Sequence, residues 1–131
     1  MREIKFRAWD EEDKRMYCDD KVIVTFIGFL EEVYVKRNST VDELIDYKLM
    51  QYTGLKDKND KEIYEGDILK GTTKGNSEEV LAITYVKWDR GQFDLFTEMT
   101  SDSWEDALYN YMQFFDVEVI GNIYENKDLL Y

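Results

Sequence analysis

Apolar and polar residues alternate in several short segments of this 131-residue chain, and a period of two predicts β strands. Residues 3–9 alternate in this way and are followed by a charged turn and a short return strand that begins at Met16. Residues 22–30 are nearly all apolar and predict a buried strand, in which Gly28 marks a bulge or a close approach. Residues 31–35 predict an exposed or edge continuation of that strand.

The segment from Leu49 to Leu69 carries the densest turn signals in the chain. Its first apolar run ends at Thr53-Gly54, and the polar residues 56–61 follow before a second apolar run. Two apolar runs separated by a turn that contains Asn and Asp predict a hairpin. A Gly66-Asp67 step ahead of a β-branched residue predicts a tight turn that leads into a further strand.

The second half of the chain predicts further strands. Residues 71–77 are a flexible loop by composition, and residues 80–88 predict a strand. Gly91 favours a hairpin turn that leads to a return strand over residues 92–96. Residues 117–124 predict the last strand.

Two segments predict short helices. Thr40 and Glu43 have the spacing of a capping box, and Leu44 follows on the apolar face. Ser103 is placed to cap a second helix, whose apolar side chains recur at helical spacing through Met112. The order of elements predicts an α+β fold, mainly β, with a curled antiparallel sheet and one or two short helices.

The composition narrows the functions that are compatible with this fold. The formal net charge is −12 and the basic residues are dispersed. Such a surface disfavours binding to phosphate backbones and to anionic membranes, although it does not exclude nucleic-acid binding. Without histidine and with a single cysteine, Cys18, the chain lacks the residues for an intrachain disulfide, for zinc sites and for histidine-based nucleophilic triads. No apolar run approaches the ~20 residues that span a bilayer, and the N-terminus lacks the apolar region of a signal peptide. We therefore expect a cytoplasmic protein without a membrane contact.

Acidic residues cluster in and after the turn at residues 56–61, where a calcium loop would also place carboxylates. The match to a calcium loop fails, because an EF-hand needs an oxygen ligand at the fifth position and glycine at the sixth, where this chain has Lys61 and Glu62. We interpret these acids as turn and surface residues, and we expect no metal, no cofactor and no catalytic residue. The acids are Asp57, Asp60, Glu62, Glu65 and Asp67.

Tyr, Trp and Arg side chains that reach the surface are typical of contact hot spots between proteins. Arg7 and Trp9 fall on the polar face of the first predicted strand, and aromatic residues flank the later turns. These side chains either bind a partner or cover the second face of a small barrel. The residues predicted to bind a partner are Arg7, Trp9, Tyr52, Tyr64, Glu65, Asp67, Asn122 and Tyr124.

Three segments together resemble the YopX family, and they occur in the family's usual order. They are Lys5-Phe6-Arg7-Ala8-Trp9-Asp10, the Met50–Ile68 region with its Tyr-Thr-Gly-Leu and Tyr-Glu-Gly-Asp runs, and Val119-Ile120-Gly121-Asn122-Ile123-Tyr124-Glu125-Asn126. The chain departs from the family pattern at Asp60, where glycine is frequent, and at Lys127, where proline is frequent. Aspartate tolerates a positive φ better than most residues do, so we expect the turn at Asp60 to form.

The resemblance implies a phage or prophage protein of unassigned biochemical function. It also implies an SH3-like barrel portion with added α/β elements. We expect one YopX-like domain over residues 1–131, with lobes at residues 1–55 and 56–131. Self-association is one form of contact that the resemblance suggests.

From the charge, the aromatic content and the missing catalytic residue types, we predict a non-enzymatic accessory protein that works through protein contacts in the host cytoplasm. An edge strand of the curled sheet could also pair across a symmetry axis. Two alternatives stay open. One is a nucleic-acid-binding SH3-like barrel with a basic, aromatic patch that includes Arg7, Trp9 and Lys87, and the other is an acidic inhibitor that mimics nucleic acid.

Overall fold

A computed structural model of the chain describes residues 3–75, 80–89, 92–96 and 103–130. The chain divides into two units, Met1–Tyr52 and Thr53–Tyr131, and each unit has its own apolar core. Most of the described elements are strands, and they are accompanied by one short α helix. The predicted α+β, mainly β fold is therefore confirmed.

Antiparallel strands build the first unit, and the last of them continues into the second unit. The strands are β1 (Phe6–Asp10), β2 (Arg15–Tyr17), β3 (Val22–Ile27), β4 (Leu30–Arg37), β5 (Thr40–Glu43) and β6 (Tyr47–Lys56). β1 pairs with β2 on one side and with β6 on the other, and the predicted first hairpin is thus confirmed. β4 lies between β3 and β5 in a three-stranded sheet.

The core of the first unit is small and is filled from several strands. β4 contributes two fully buried side chains, Val33 and Val35, because it is the central strand of its sheet. The prediction that residues 31–35 form an exposed or edge strand is therefore wrong. The buried members of this core are Ala8, Tyr17, Val33, Val35 and Leu44.

The prediction that a short helix begins at Thr40 is wrong, because Thr40–Glu43 form strand β5. Asn38 has a φ of 50°, and a two-residue turn then places Arg37 opposite Thr40. The Thr40 hydroxyl, which we expected to cap a helix, donates to the backbone oxygen of Arg37 at 3.0 Å. Pairing with β4 therefore overrides the local capping signal.

The prediction that residues 22–30 form a single buried strand is also wrong. The chain reverses at Gly28-Phe29, so that Ile27 pairs with Leu30 and the segment forms the end of a hairpin. Gly28 has a φ of 61°, which suits the first central position of a two-residue hairpin turn. Val22 and Val24 pack against the core, whereas the end of the hairpin is exposed.

A curled five-stranded antiparallel sheet forms most of the second unit and is the barrel-like part that the resemblance implied. The strands that follow β6 are β7 (Glu62–Tyr64), β8 (Asp67–Thr73), β9 (Val80–Asp89), β10 (Gln92–Phe96), β11 (Ser103–Ala107) and β12 (Phe115–Asn122). Their order in the five-stranded sheet is β11-β10-β9-β8-β12. Helix α1 (Leu108–Phe114) precedes β12, and a 3-10 turn at Lys127–Leu130 follows it.

The hairpin predicted in the Leu49–Leu69 segment is confirmed. β7 is the neighbour of β6 in a sheet, and Gly66 makes the tight turn before β8 with a φ of 84°. Asp60 has a φ of 65°, so aspartate does hold the conformation that glycine would adopt more easily.

The predicted second helix is wrong over its first half, because residues 103–107 pair with β10 and the helix begins at Leu108. Residues 71–73, which we expected in a loop, extend β8. The rest of that loop from residue 76 onward and the turn position Gly91 lie outside the described residues.

Gly71 in β8 permits helix α1 to lie close to the sheet. A Cβ atom added at Gly71 would collide with the hydroxyl of Tyr111 and would lie 3.1 Å from its Cζ. Tyr111 is buried, and burial raises the pKa of its phenol. The core around it is formed by Ile63, Leu69, Val86, Phe93, Leu95, Leu108, Tyr111, Val117 and Val119.

The variant Gly71→Ala should destabilise the protein by about 1–3 kcal/mol, because the buried Tyr111 ring must move to admit a methyl group. Tyr111→Phe removes the atom nearest to that methyl group, so Gly71→Ala should destabilise the Phe variant less. Urea denaturation of the wild type, both single variants and the double variant measures this coupling. Additive changes in the free energy of unfolding would contradict the contact.

Candidate functional site

The predicted partner-binding residues of the first unit are buried. Arg7, Trp9 and Tyr52 each expose less than a tenth of their surface, so the expectation that Arg7 and Trp9 are exposed is wrong. The Nε of Arg7 lies 3.4 Å from the sulfur of Met50 on the neighbouring strand. The ammonium group of Lys5 lies 5.1 Å from the centre of the Tyr52 ring. These contacts fit the alternative that the side chains cover a second face of the sheet.

The predicted residues of the second unit lie together where β8 begins and β12 ends. Asp67 and Asn122 are directly opposite each other in the pairing of these strands. The turn at Gly66 and the turn after Asn122 are joined by a bond from the Ile123 N–H to the Gly66 oxygen, 2.9 Å long. Tyr64 ends β7 directly before the first turn, Glu65 lies in that turn and Tyr124 lies in the second.

Asp67 and Asn122 use their side chains to hold these turns. Asp67 Oδ2 accepts from the backbone N–H of Tyr64 at 2.8 Å. Asn122 Oδ1 accepts from the N–H groups of Tyr124 and Glu125 at 3.0 and 2.9 Å. Asp67, Asn122 and Tyr64 are buried. The side chains of Asp67 and Asn122 therefore have a local structural role, which is to accept hydrogen bonds from the backbone of the turns. Partner binding by the predicted residues stays a prediction.

Our interpretation of Asp57 and Asp67 as surface residues is wrong, because both acids are buried, and Asp57 directly follows strand β6. Its Oδ1 accepts from the N–H groups of Asn59 and Lys61 at 2.8 and 2.9 Å. Its Oδ2 accepts from the N–H of Val119 in β12 at 2.9 Å. The carboxylate therefore shapes the turn at residues 57–61 and fastens that turn to the outer edge of β12.

The end of the β3–β4 hairpin is an exposed apolar surface that sequence reasoning missed. The exposed fractions are 59% for Phe26, 69% for Ile27, 110% for Phe29 and 55% for Leu30. Large apolar side chains that are contiguous and exposed usually mark a contact site. The available signal was Gly28, which we assigned to a bulge or a close approach and at which the chain reverses.

Two hydrogen-bonded pairs flank this apolar end. The Tyr47 hydroxyl donates to Glu31 Oε2 at 2.7 Å, and the Tyr34 hydroxyl donates to Glu32. Burial, and then the bond to Glu31, raise the pKa of Tyr47 to about 12. The bond to Glu32 raises the pKa of Tyr34. Two negative charges thus stand in ordered positions beside the apolar surface.

A model of the YopX protein family matches residues 5–131. The chain belongs to the YopX family. The resemblance of the three segments to this family is therefore confirmed, and no curated protein matches the chain.

Two proteins with crystal structures resemble this chain over almost their whole length. YopX from Bacillus subtilis is 23% identical, with 97% of this chain and 98% of that chain covered and a TM-score of 0.69. The protein EF1440 from Enterococcus faecalis is 29% identical, with both chains covered completely and a TM-score of 0.59. At 23% identity the likeness to the first shows a shared fold.

The segments that resemble the family contain the residues that hold these turns. Gly66, Asp67 and Asn122 form the paired turns, and Asp57 fastens the neighbouring turn to β12. Among the described residues, no group of three or more His, Cys, Asp or Glu residues could hold a metal ion. No helix in the same residues is both long and apolar enough to cross a membrane.

Asp57→Ala should lower the free energy of unfolding by about 2–4 kcal/mol, because it leaves buried N–H groups without their charged acceptor. Asp60→Asn in the same turn is the matched control. Asp60 is exposed and asparagine accepts a positive φ, so its effect should stay within about 0.5 kcal/mol. Equal effects of the two variants in urea denaturation would contradict the assigned role of Asp57.

Tyr47→Phe should make the stability of the protein less sensitive to alkaline pH. The folded protein keeps the Tyr47 phenol neutral up to a pKa of about 12, against 10.0 for the free side chain. The stabilisation from this phenol is complete below pH 10.0 and is lost as the pH rises toward 12. Urea denaturation at several pH values should therefore show the wild type converging on Tyr47→Phe across this range. A constant difference between the two proteins would overturn the assignment.

Proposed function

We propose that this YopX-family chain is a phage- or prophage-encoded accessory protein that acts through protein contacts and not as an enzyme. The observation that carries the proposal is the apolar hairpin end, residues 26–30, which stands exposed in a chain of which 35% is charged. Covering a Phe or Leu side chain is worth about 1.5–3 kcal/mol, so a partner that buries this end gains substantial binding free energy. The absence of histidine from the sequence supports a role without catalysis.

The charges beside the hairpin end indicate the chemistry of the partner. Glu31 and Glu32 follow the apolar residues directly. Each carboxylate accepts a hydrogen bond from a tyrosine hydroxyl, and this bond holds the carboxylate in place. A protein recess that is apolar at its centre and carries Lys or Arg at its rim would match both features. The chain's net charge of −12 favours such a basic partner, and we place the contact in the bacterial cytoplasm.

The two alternative functions gain less support. A nucleic-acid-binding patch would need Arg7 and Trp9 at the surface, and both are buried. A mimic of nucleic acid would need its carboxylates in an exposed row. Asp57 and Asp67 are excluded from such a row, because both are buried and accept backbone hydrogen bonds.

Phe29→Ser tests the proposal, because Phe29 is the most exposed side chain of the hairpin end. Wild type and variant are used to capture proteins from phage-carrying cells, and each captured protein is then purified and titrated against both. We expect Phe29→Ser to weaken binding at least ~10-fold, as loss of a central aromatic anchor usually does.

Ile45→Ser is the matched control, because Ile45 is an apolar side chain that is 75% exposed outside the hairpin end. It should bind the captured partner as the wild type does. Circular dichroism confirms that both variants fold. No captured protein, or equal binding by all three chains, would reject the hairpin end as the contact site.

A further inference from the structure

The three-stranded sheet of the first unit covers the core with one face and leaves its other face exposed. Val33 and Val35 of the central strand β4 are fully buried, so the residues that alternate with them point to the opposite side of the sheet. We call this opposite side the outer face. Directly paired residues share a face, so Ile23, Tyr34 and Glu43 form one row across the outer face.

The outer face carries large apolar side chains that are exposed. Ile23, Ile27 and Leu30 come from the β3–β4 hairpin, and Val41 comes from β5. We propose that the outer face binds an amphipathic helix of another protein, which covers these side chains with its apolar stripe and brings a Lys or Arg to Glu32. The inference deepens the proposed function and rests on it, because Ile27 and Leu30 belong to both the hairpin end and the outer face.

Glu32 determines the charge that the partner must carry. Its side chain lies on the outer face between those of Leu30 and Tyr34, it is half-buried, and it is held by the hydrogen bond from the Tyr34 hydroxyl. A partner that covers these side chains also removes water from the carboxylate, and a buried carboxylate without a cation is strongly unfavourable. The partner therefore needs a Lys or Arg at Glu32, and Glu43 in the row of Tyr34 favours a second one.

Lys36 is also part of the outer face, at the end farthest from the hairpin turn. Its side chain is long and exposed, so its ammonium group stays in water beside a bound helix. The carboxylates of Glu32 and Glu43, both next to Tyr34, therefore set the charge at the middle of the face. A second copy of this chain, with its net charge of −12, would fit these carboxylates poorly, whereas a basic segment complements them.

Backbone hydrogen bonding selects a helix for the outer face. β4 is paired on both sides, so its backbone offers no free group to an occupant that lies on the face. An extended segment in that position would bury its own N–H and C=O groups without partners, whereas a helix satisfies them internally. A helix is also about 10 Å wide, which matches the two strand spacings of roughly 4.8 Å that separate β3 from β5.

A synthetic peptide of about 18 residues tests the outer face, because this length suffices for a helix. Its leucines recur at helical spacing along one side, and lysines flank them. Fluorescence anisotropy measures its binding to the purified protein. A peptide of the same composition in scrambled order keeps the charge without the apolar stripe, and it should bind at least ~10-fold more weakly. Equal binding of the two peptides would overturn the proposal.

Glu32→Gln tests the charge contact, because glutamine keeps an acceptor for the Tyr34 hydroxyl and removes the charge. It should weaken binding of the amphipathic peptide at least ~5-fold. Glu12→Gln is the matched control, since it changes the net charge equally and Glu12 is an exposed residue of the turn after β1. Equal effects of the two variants would reduce the binding to general attraction by an acidic protein and would reject the outer face.

Val41→Thr tests the apolar contact at a position outside the hairpin end. Threonine keeps the β-branched shape that suits a strand, but a covering helix would bury its hydroxyl, so peptide binding should weaken at least ~3-fold. Ile4→Thr is the control, because Ile4 is 68% exposed and precedes β1, outside this sheet. Circular dichroism checks that both variants fold. An unchanged affinity of Val41→Thr would contradict the assigned surface.

The two proposals can fail separately. Phe29 lies in the turn between β3 and β4 and not on the outer face, so Phe29→Ser should leave peptide binding unchanged. Loss of peptide binding in Phe29→Ser would place the peptide at the hairpin end and overturn the outer face as its site. Failure to capture any protein from phage-carrying cells would reject the proposed function, whereas the peptide measurements on purified protein decide the outer face by themselves.

Discussion

The second unit depends on a buried carboxylate that joins two distant parts of the chain. Asp57 begins the turn that follows β6. Its Oδ2 accepts a hydrogen bond from the N–H of Val119 at the outer edge of β12. Lys58 adds a backbone bond to Val117 on the same edge. An outer strand of a sheet leaves unpaired N–H and C=O groups, and the turn at residues 57–61 pairs with two of them, the Val119 N–H and the Val117 oxygen.

This constraint explains why the segments that resemble the family carry information about the fold. Gly66, Asp67 and Asn122 make the paired turns, and Asp57 fastens the neighbouring one. Their residue types are dictated by backbone geometry and buried hydrogen bonds. The surface that we propose for contacts is built differently, because it consists of exposed apolar side chains on both sides of Gly28.

Period-two patterns and turn residues predicted most strands, because alternation and Gly or Asp turns are local signals. The predictions failed where pairing with a strand that is distant in the sequence determines the secondary structure. Thr40 has a helix-capping pattern but pairs with β4, and residues 103–107 pair with β10. The apolar run at residues 22–30 suggested burial because hydrophobicity alone does not show whether a hairpin extends beyond its core. Asp57 looked like a surface acid because its acceptor role requires Val119, 62 positions away.

That separation also affects how the protein is made. The first unit has all of its residues once Tyr52 has been synthesised, whereas β8 must wait for β12. At ~5–20 residues per second, a ribosome needs roughly 3–12 s to pass from Asp57 to Val119. During this interval one side of β8 and the carboxylate of Asp57 lack their final partners. The nascent chain is then most exposed to chaperones, proteases and neighbouring copies, although the finished protein conceals both elements.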